Sequence, residues 1–290
     1  MTMTIRGRDR IADWIETVLL VRGSRPLGID PLNKYFEARH GLEPQMVSTG
    51  VREMSRRAGV LGDAYPFHVN EFAVRSHPAA GASAYVASAL MAPGNPVREY
   101  ISAAPDDAMP VIFENIVASA VSGIWGQAGR ALRFGWPSEV GRPPEFDQAI
   151  RWLARTIGVE VGQGYRQPRR KDGGVDVVAW RPFPDGKPGF PVLLVQCTLQ
   201  ENLLAKGMDV DTRLWSSWLA MDVDAMAALA TPVALAPGTT WNELALKYMV
   251  LDRIRIVGLI DPLRADEMAN DWVDGTLTEL RGYMEEVCEL

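Results

Sequence analysis

Two polar side chains stand inside otherwise apolar segments of the carboxy-terminal half of the chain. Asp176 lies within Gly174 to Trp180, and Gln196 lies within Pro191 to Thr198. A buried carboxylate is costly unless a cation or a polar partner compensates it. The proline, aspartate and glycine residues of Arg181 to Gly189 predict a turn, so the two segments form a hairpin. Such a hairpin would bring the two oxygen-bearing side chains together on one face of a sheet, where a cation could bind.

The segments around this hairpin predict an α/β unit. Apolar residues recur at helical spacing from Phe146 to Ile157, and further helices are predicted from Glu201 to Ala220 and from Ala265 to Glu289. The predicted strands are residues 159–161, 174–180, 191–198, 231–236 and 253–260. The last of these alternates arginine with apolar residues, which suggests a half-solvated strand. The predicted order is α-β-β-β-α-β-α-β, with a helix between the last two strands and a final helix after them.

The amino-terminal part has a different pattern, which is mostly helical. The predicted helices are residues 11–20, 29–39, 46–58, 83–91 and 110–132, with short extended pieces near 65–69 and 72–74. The prolines between Gly135 and Pro144 cannot continue a helix and favour a linker. We therefore predict a mostly α-helical domain over residues 1–140 and a second domain over 141–290. No motif in the first domain assigns it a function, and we expect it to contact a protein partner.

The hairpin sequence resembles a known superfamily of nucleases. Lys171-Asp172-Gly173-Gly174-Val175-Asp176-Val177-Val178-Ala179, followed about twenty residues later by Leu194-Val195-Gln196-Cys197-Thr198, resembles the PD-(D/E)xK restriction-endonuclease-like superfamily. It is most similar to the Mrr-like branch, which has a Gly-Gly-hydrophobic-Asp strand and a Gln-x-Lys third strand. The resemblance covers about residues 145–260. It implies a mixed sheet flanked by helices.

The resemblance also implies a metal site and its ligands. Asp176 would be the metal-ligating acid, the side-chain oxygen of Gln196 the second ligand, and the main-chain carbonyl of Cys197 a third. Mg²⁺, or Mn²⁺ in its place, suits such oxygen ligands. The metal would polarise the scissile phosphate and lower the pKa of a bound water.

This sequence departs from the superfamily pattern at one position. Thr198 stands where the lysine is expected. Lysine migrates in this superfamily, so Lys206 on the following predicted helix is the first substitute and Lys171 the second. The superfamily sometimes adds an acid from the helix that precedes the sheet, and Glu145 or Asp147 could serve here.

A basic run adjoins the predicted site. Arg166, Arg169 and Arg170 lie just before Lys171, where they could contact phosphates of a nucleic acid, most simply DNA. The net charge of −6 is unlike that of a non-specific nucleic-acid coat protein. A nuclease can instead rely on a local basic face and on bound cations.

Two functions are compatible with these residues. The first is a metal-dependent endonuclease that hydrolyses phosphodiester bonds, which the resemblance would place in bacterial restriction or anti-phage defence. The second is an inactive scaffold, or a subunit that binds nucleic acid or a partner through the same fold. A lysine close to Asp176 would favour the first, and Thr198 favours the second. An enzyme of another class in the amino-terminal part has no supporting motif, and P-loop, Rossmann and nucleophile-elbow patterns are absent from the sequence.

The sequence favours a cytoplasmic protein. It has no signal-peptide pattern and, by inspection, no apolar stretch near the length of a membrane span. Cys197 and Cys288 are the only cysteines, which suits a reducing compartment. The sequence is compatible with a homodimer.

Overall fold

The computed structural model describes residues 8–77, 82–95, 97–101, 108–138, 140–164, 172–206, 210–261 and 267–283. The chain divides into two compact units. The first unit comprises residues 1–106, 232–236 and 262–290, and the second comprises residues 107–231 and 237–261. This division differs from the predicted boundary at residue 140, because the helix and strand before that boundary belong to the second unit and the final helix belongs to the first.

The elements are numbered here in chain order. The helices are α1 (Arg8–Arg22), α2 (Ile29–His40), α3 (Pro44–Leu61), α4 (Ala82–Met91), α5 (Ala108–Ser122), α6 (Phe146–Ile157), α7 (Leu203–Lys206), α8 (Thr212–Trp218), α9 (Thr239–Ala245), α10 (Arg253–Leu259) and α11 (Glu267–Tyr283). The strands are β1 (Leu27–Gly28), β2 (Phe67–Val69), β3 (Ala73–Ser76), β4 (Arg130–Arg133), β5 (Glu160–Val161), β6 (Val177–Trp180), β7 (Val192–Cys197), β8 (Leu219–Ala220), β9 (Met226–Ala230) and β10 (Met249–Leu251).

The first unit is a helical assembly with a small antiparallel sheet. Its sheet has the strand order β1-β3-β2. Helix α1 packs against α3, and α11 packs against α4 and α1. The helical segments therefore occur near where the sequence predicts them, since each has a well-defined apolar face or a buried apolar run.

A buried ion-pair network joins α1 to α3 in this unit. The side chain of Arg57 is fully buried, and its guanidinium lies 2.6 Å from Asp13, 2.9 Å from Glu16 and 3.2 Å from Glu53. The hydroxyl of Tyr65 donates to Glu16 at 2.7 Å. Because several carboxylates share this one buried cation, its removal would leave buried charges uncompensated.

The second unit is built on a mixed five-stranded sheet with the order β10-β9-β7-β6-β4. Strands β4, β6 and β7 pair antiparallel, and β7, β9 and β10 pair parallel. Strands β5 and β8 form a separate two-stranded ribbon. The unit is therefore α/β, as predicted.

The core of this unit is rich in aromatic residues. Phe146 and Trp218 meet edge to face with ring centroids 4.7 Å apart, and Trp215 is 5.6 Å from Phe134. Alternate residues of β6 and β7 complete this cluster, while helix α5 packs against β4, β6 and β7. The β6–β7 hairpin is consequently a central, covered part of the sheet.

Several predicted elements of this unit are wrong in place or type. Helix α5 ends at Ser122, and β4 occupies part of the predicted helix 110–132. Residues 159–161 contribute only to the separate ribbon, so β4 takes the place of the predicted first strand. The predicted helix 201–220 is two short helices, α7 and α8, followed by β8.

The two predicted carboxy-terminal strands are also misplaced. Strand β9 ends before Thr231, and Pro232 cannot donate to a ladder. Residues 253–259 form helix α10, not a strand, and the carboxylate of Asp252 caps it by accepting from the Arg255 N–H at 3.0 Å. Arg253 is fully buried, and the Arg255 guanidinium lies 4.5 Å from the centroid of the Trp241 ring. The predicted half-solvated strand is therefore incorrect.

One segment among the described residues is long and apolar enough to cross a membrane, in contrast to the sequence-based expectation. It is Ala108–Ala128, which contains α5. In the structure, α5 packs on β4, β6 and β7 as a core helix does.

Replacement of Arg57 should destabilise the protein far more than replacement of its neighbour. We expect Arg57→Met to lower the free energy of unfolding by about 3–5 kcal/mol, because it leaves buried carboxylates unpaired. Arg56 pairs with Glu53 too, but its side chain is 42% exposed, so Arg56→Met should cost no more than about 1 kcal/mol. Urea unfolding followed by circular dichroism measures both, and equal losses would contradict the network described here.

Candidate functional site

A tight glycine turn leads into strand β6. Gly173 and Gly174 have φ angles of 63° and 80°, which lie in the left-handed region. The N–H of Gly174 donates to the Asp172 carboxylate at 2.8 Å, and the indole N–H of Trp215 donates to the Gly173 carbonyl at 3.1 Å. A Cβ at Gly173 would lie 2.9 Å from the Trp218 ring. The paired glycines therefore let the chain turn against the aromatic core.

The main chain of Asp176 connects three strands where this turn ends. Its N–H donates to the Val195 carbonyl at 2.9 Å. Its carbonyl accepts from the N–H groups of Phe134 at 2.7 Å and Gly135 at 3.0 Å. In a regular antiparallel strand the N–H and carbonyl of one residue point to the same neighbour. Asp176 directs them to different neighbours, so the main chain is irregular there.

The side chain of Asp176 binds the end of strand β7. Its Oδ2 accepts a hydrogen bond from the Cys197 N–H at 2.7 Å. The next residue, Val177, pairs with Val195, which precedes Gln196 in β7. Gln196 is only 2% exposed. The structure thus places Asp176 beside the end of β7, where Gln196 precedes the residue that binds its carboxylate.

The carbonyl of Cys197 faces the same side of β7 as Asp176. Cys197 pairs with Ala230 of β9, and the next residue, Thr198, donates its N–H to the Ala230 carbonyl. The carbonyl of Cys197 belongs to the same peptide unit as this N–H and points the opposite way, so the N–H and carbonyl of Cys197 both face β6. Asp176, Gln196 and Cys197 therefore offer a carboxylate, an amide and a main-chain carbonyl. These are the oxygen donors that Mg²⁺ prefers, so the donor set fits this metal in chemistry. Among the described residues there is, however, no group of three or more His, Cys, Asp and Glu side chains that could hold a metal.

Thr198 is integrated into the backbone at the end of the same strand. Its N–H donates to the Ala230 carbonyl at 2.9 Å, and its hydroxyl accepts from the Gln200 N–H at 3.2 Å. The residue is 2% exposed. The position of the superfamily lysine is therefore filled by a buried residue that closes a turn.

Most of the other predicted site residues lie where the structure gives no side-chain geometry. Lys206 is the last residue of α7, and only its main chain is described. Lys171, Arg166, Arg169 and Arg170 lie outside the described residues.

The two acids predicted to assist from the preceding helix have other positions. Glu145 is the residue before α6, and its side chain makes no capping hydrogen bond there. Asp147 forms an exposed ion pair with Arg151 at 3.1 Å, one turn along the same helix. Helix α6 lies between β4 and β6 in the chain, so the helix that precedes the first strand of the main sheet is α5.

Helix α5 carries an acid that the sequence analysis missed. Glu114 is buried, and its Oε2 lies 2.6 Å from Nε of Arg133. A Cβ on Gly135, whose N–H binds Asp176, would lie 2.6 Å from the same oxygen. Burial raises the pKa of the Glu114 carboxyl, the positive Arg133 opposes this, and the negative Asp172 adds to it. The sequence could have indicated this residue, because Glu114 is the only charged residue between Pro110 and Ser122.

A buried arginine adds positive charge to this neighbourhood. The Arg142 guanidinium lies 4.5 Å from the centroid of the Phe134 ring, and the residue is 3% exposed. Burial lowers the pKa of Arg142, whereas the negative charge of Asp172 acts in the opposite direction. The surroundings of Asp176 therefore combine two further acids with two arginines.

Comparison of the chain with models of protein families, with curated proteins and with solved structures finds no match.

An alanine at Gly173 should disturb the turn beyond the cost of its backbone conformation. Gly173 and Gly186 have similar φ angles of 63° and 68°, but a Cβ at Gly186 would meet nothing within 4 Å. Both alanine variants should lose about 1 kcal/mol from the left-handed backbone. Gly173→Ala should lose about 1–3 kcal/mol more from overpacking against Trp218 and Phe146. Urea unfolding of the two variants measures the difference, and equal stabilities would show that the aromatic contact does not constrain the turn.

Proposed function

We propose that the second unit is a PD-(D/E)xK restriction-endonuclease-like domain that hydrolyses phosphodiester bonds in nucleic acid, with DNA as the expected substrate. The observation that carries this proposal is the position of Asp176. It lies one residue before β6, with its carboxylate fixed at 2.7 Å by the N–H of Cys197, the residue that follows Gln196 in β7.

The topology of the main sheet supports the same proposal. Helix α5 is followed by three strands that pair antiparallel, β4, β6 and β7, and then by helices and the parallel strand β9. This is an α-β-β-β-α-β order with α6 inserted between the first two strands. The predicted order was the same, but its first helix and strand are α5 and β4, which precede the residues 145–260 that carry the resemblance.

The residues at the hairpin end suit a hard divalent cation. Asp176, the Gln196 amide oxygen and the Cys197 carbonyl would hold Mg²⁺ or Mn²⁺. When bound, the cation would polarise a phosphate and lower the pKa of a coordinated water. The Cys197 N–H orients the Asp176 carboxylate through Oδ2, and an ionised carboxylate has acceptor sites on both oxygens. Glu114, fixed by Arg133, is a second buried acid near this end of the sheet.

The proposed reaction also needs a cation that orients the attacking water, since Thr198 has no charge. We propose Lys206, or else Lys171, for this role. We propose that Arg166, Arg169 and Arg170 contact phosphates of the nucleic acid. A role in restriction or anti-phage defence, and a protein partner for the first unit, belong to the same proposal.

An inactive scaffold with this fold is the second candidate. Two observations favour it: Thr198 is buried and hydrogen bonded, and the Asp176 carboxylate already binds the main chain of β7. In this case Asp176 would serve the fold alone, and the unit would bind nucleic acid or a protein partner without cleavage.

Cleavage of supercoiled plasmid and of single-stranded DNA with Mg²⁺ or Mn²⁺ tests the first proposal. Asp176→Asn keeps an oxygen that can accept from the Cys197 N–H but removes the charge that a metal needs. We expect this variant to fold as the wild type does and to lose more than about 100-fold in cleavage rate, since even indirect partners of a metal site cost about 10–100-fold. Lys206→Ala should also lose activity.

Two exposed residues supply matched controls. Asp224→Asn removes an acid and Lys247→Ala removes a lysine from exposed positions of the same unit. Both should cleave at the wild-type rate. Cleavage that survives Asp176→Asn would refute the proposed site, and a stable wild type that cleaves no substrate with either metal would favour the scaffold.

A further inference from the structure

A concave surface lies at the turn end of the β6–β7 hairpin, away from Asp176. It is a pocket of about 230 Å³ lined by Arg130, Arg155, Trp180, Phe183 and Lys187, among other residues, and is called the hairpin-end pocket here. Arg130 pairs with Trp180 across β4 and β6, so the pocket lies where β6 ends. Asp176 precedes the start of the same strand. The two places are separated by four residues of nearly extended chain, or about 13 Å.

The charge of the hairpin-end pocket is positive although the whole chain carries −6. Arg130 and Arg155 are exposed, and neither forms an ion pair with an acid within the described part of the chain. Lys187 pairs with Asp185 at 3.7 Å, but both side chains are more than half exposed, so this pair contributes little. The local excess of cations attracts an anionic ligand.

The pocket also presents aromatic surface beside these cations. Phe183 is 43% exposed, and the Arg181 guanidinium lies 5.2 Å from the centroid of its ring. Trp180 and Phe190 are almost fully buried and line the wall. Cations beside an exposed aromatic ring suit a chain that carries both phosphates and unpaired bases, because bases stack on aromatic rings and phosphates pair with arginine. Duplex DNA keeps its bases stacked and would use only the cations.

We propose that the hairpin-end pocket binds a single-stranded segment of nucleic acid, with phosphates on Arg130 and Arg155 and a base on Phe183. The inference rests on the proposed function, because nucleic acid is the expected substrate of this unit. It adds a contact surface about 13 Å from Asp176 along β6, a length spanned by a few nucleotides. A strand held there would be fixed at one end while another part of it lies near Asp176.

Binding without a metal tests this surface separately from cleavage. Anisotropy of a fluorescein-labelled oligothymidine strand is measured with the full chain in EDTA over a range of salt concentrations. Arg130→Gln combined with Arg155→Gln should weaken binding at least about tenfold and lower the slope of log K against log salt by about 1.4, or about 0.7 for each lost phosphate contact. Phe183→Ala should weaken binding about fivefold or more.

Matched controls come from outside the pocket. Arg151→Gln combined with Arg213→Gln removes the same charge from two exposed arginines of this unit, and Phe72→Ala removes a phenylalanine that is 81% exposed in the first unit. These variants should bind within about twofold of wild type. Equal losses in the control and pocket variants would overturn the proposal. Tighter binding of duplex than of single strand, or equal competition by polyglutamate, would overturn it as well.

Asp176→Asn distinguishes this inference from the proposed nuclease. In EDTA this variant should still bind the strand, and adding Arg130→Gln and Arg155→Gln to it should weaken binding at least about tenfold, as in the wild type. Pocket-dependent binding by a protein that cleaves nothing would support the pocket and oppose the nuclease. The opposite result is cleavage that depends on Asp176, with neither cleavage nor binding affected by the pocket variants. That result would support the nuclease and overturn the pocket.

Discussion

The hydrogen bond between the Asp176 carboxylate and the Cys197 N–H connects the glycine turn to the centre of the sheet. The same residue binds Val195 through its N–H and β4 through its carbonyl. Asp176 therefore contacts two neighbouring strands at the point where regular pairing ends. A carboxylate is well suited to this position, because it accepts hydrogen bonds from a main-chain N–H without itself needing a donor partner. The register of the β6–β7 hairpin and the place of any site at its end depend on this contact.

The aromatic core explains why the contact has a defined geometry. Trp215 and Trp218 from α8 pack on Gly173, and the Trp215 indole binds its carbonyl at 3.1 Å. The turn can approach these rings only because Gly173 has no Cβ. The position of Asp176 is thus determined by the packing of Gly173, three residues before it, and by its hydrogen bonds to the chain on both sides. A side chain held in this way keeps its position without a bound ligand, which is a requirement for a preorganised site.

The sequence allowed the hairpin and its two polar residues to be predicted, because a charge inside an apolar strand is a strong local signal. It did not allow β4 to be recognised, since Arg130 to Arg133 follows a long apolar helix and has no pattern of its own. Residues 253–260 alternate like a strand, but the cap at Asp252 and the burial of residues 253, 254, 256 and 257 are those of a helix. In both segments, tertiary contacts determined the secondary structure. The missed acid Glu114 follows from the same error, because the helix that flanks the first strand was assigned to the wrong segment.

The structural role of Asp176 does not compete with a catalytic one. If the carboxylate served only to bind the Cys197 N–H, asparagine or serine could provide the same acceptor without a charge to bury. The neighbourhood instead retains charge: Asp172 and Asp176 in the turn, and Glu114 paired with Arg133 beside it. Glu114 and Arg133 are buried, and Asp172 and Asp176 are half-buried. Thr198 is uncharged and buried, so any positive charge used at this end of the sheet must come from another element of the chain.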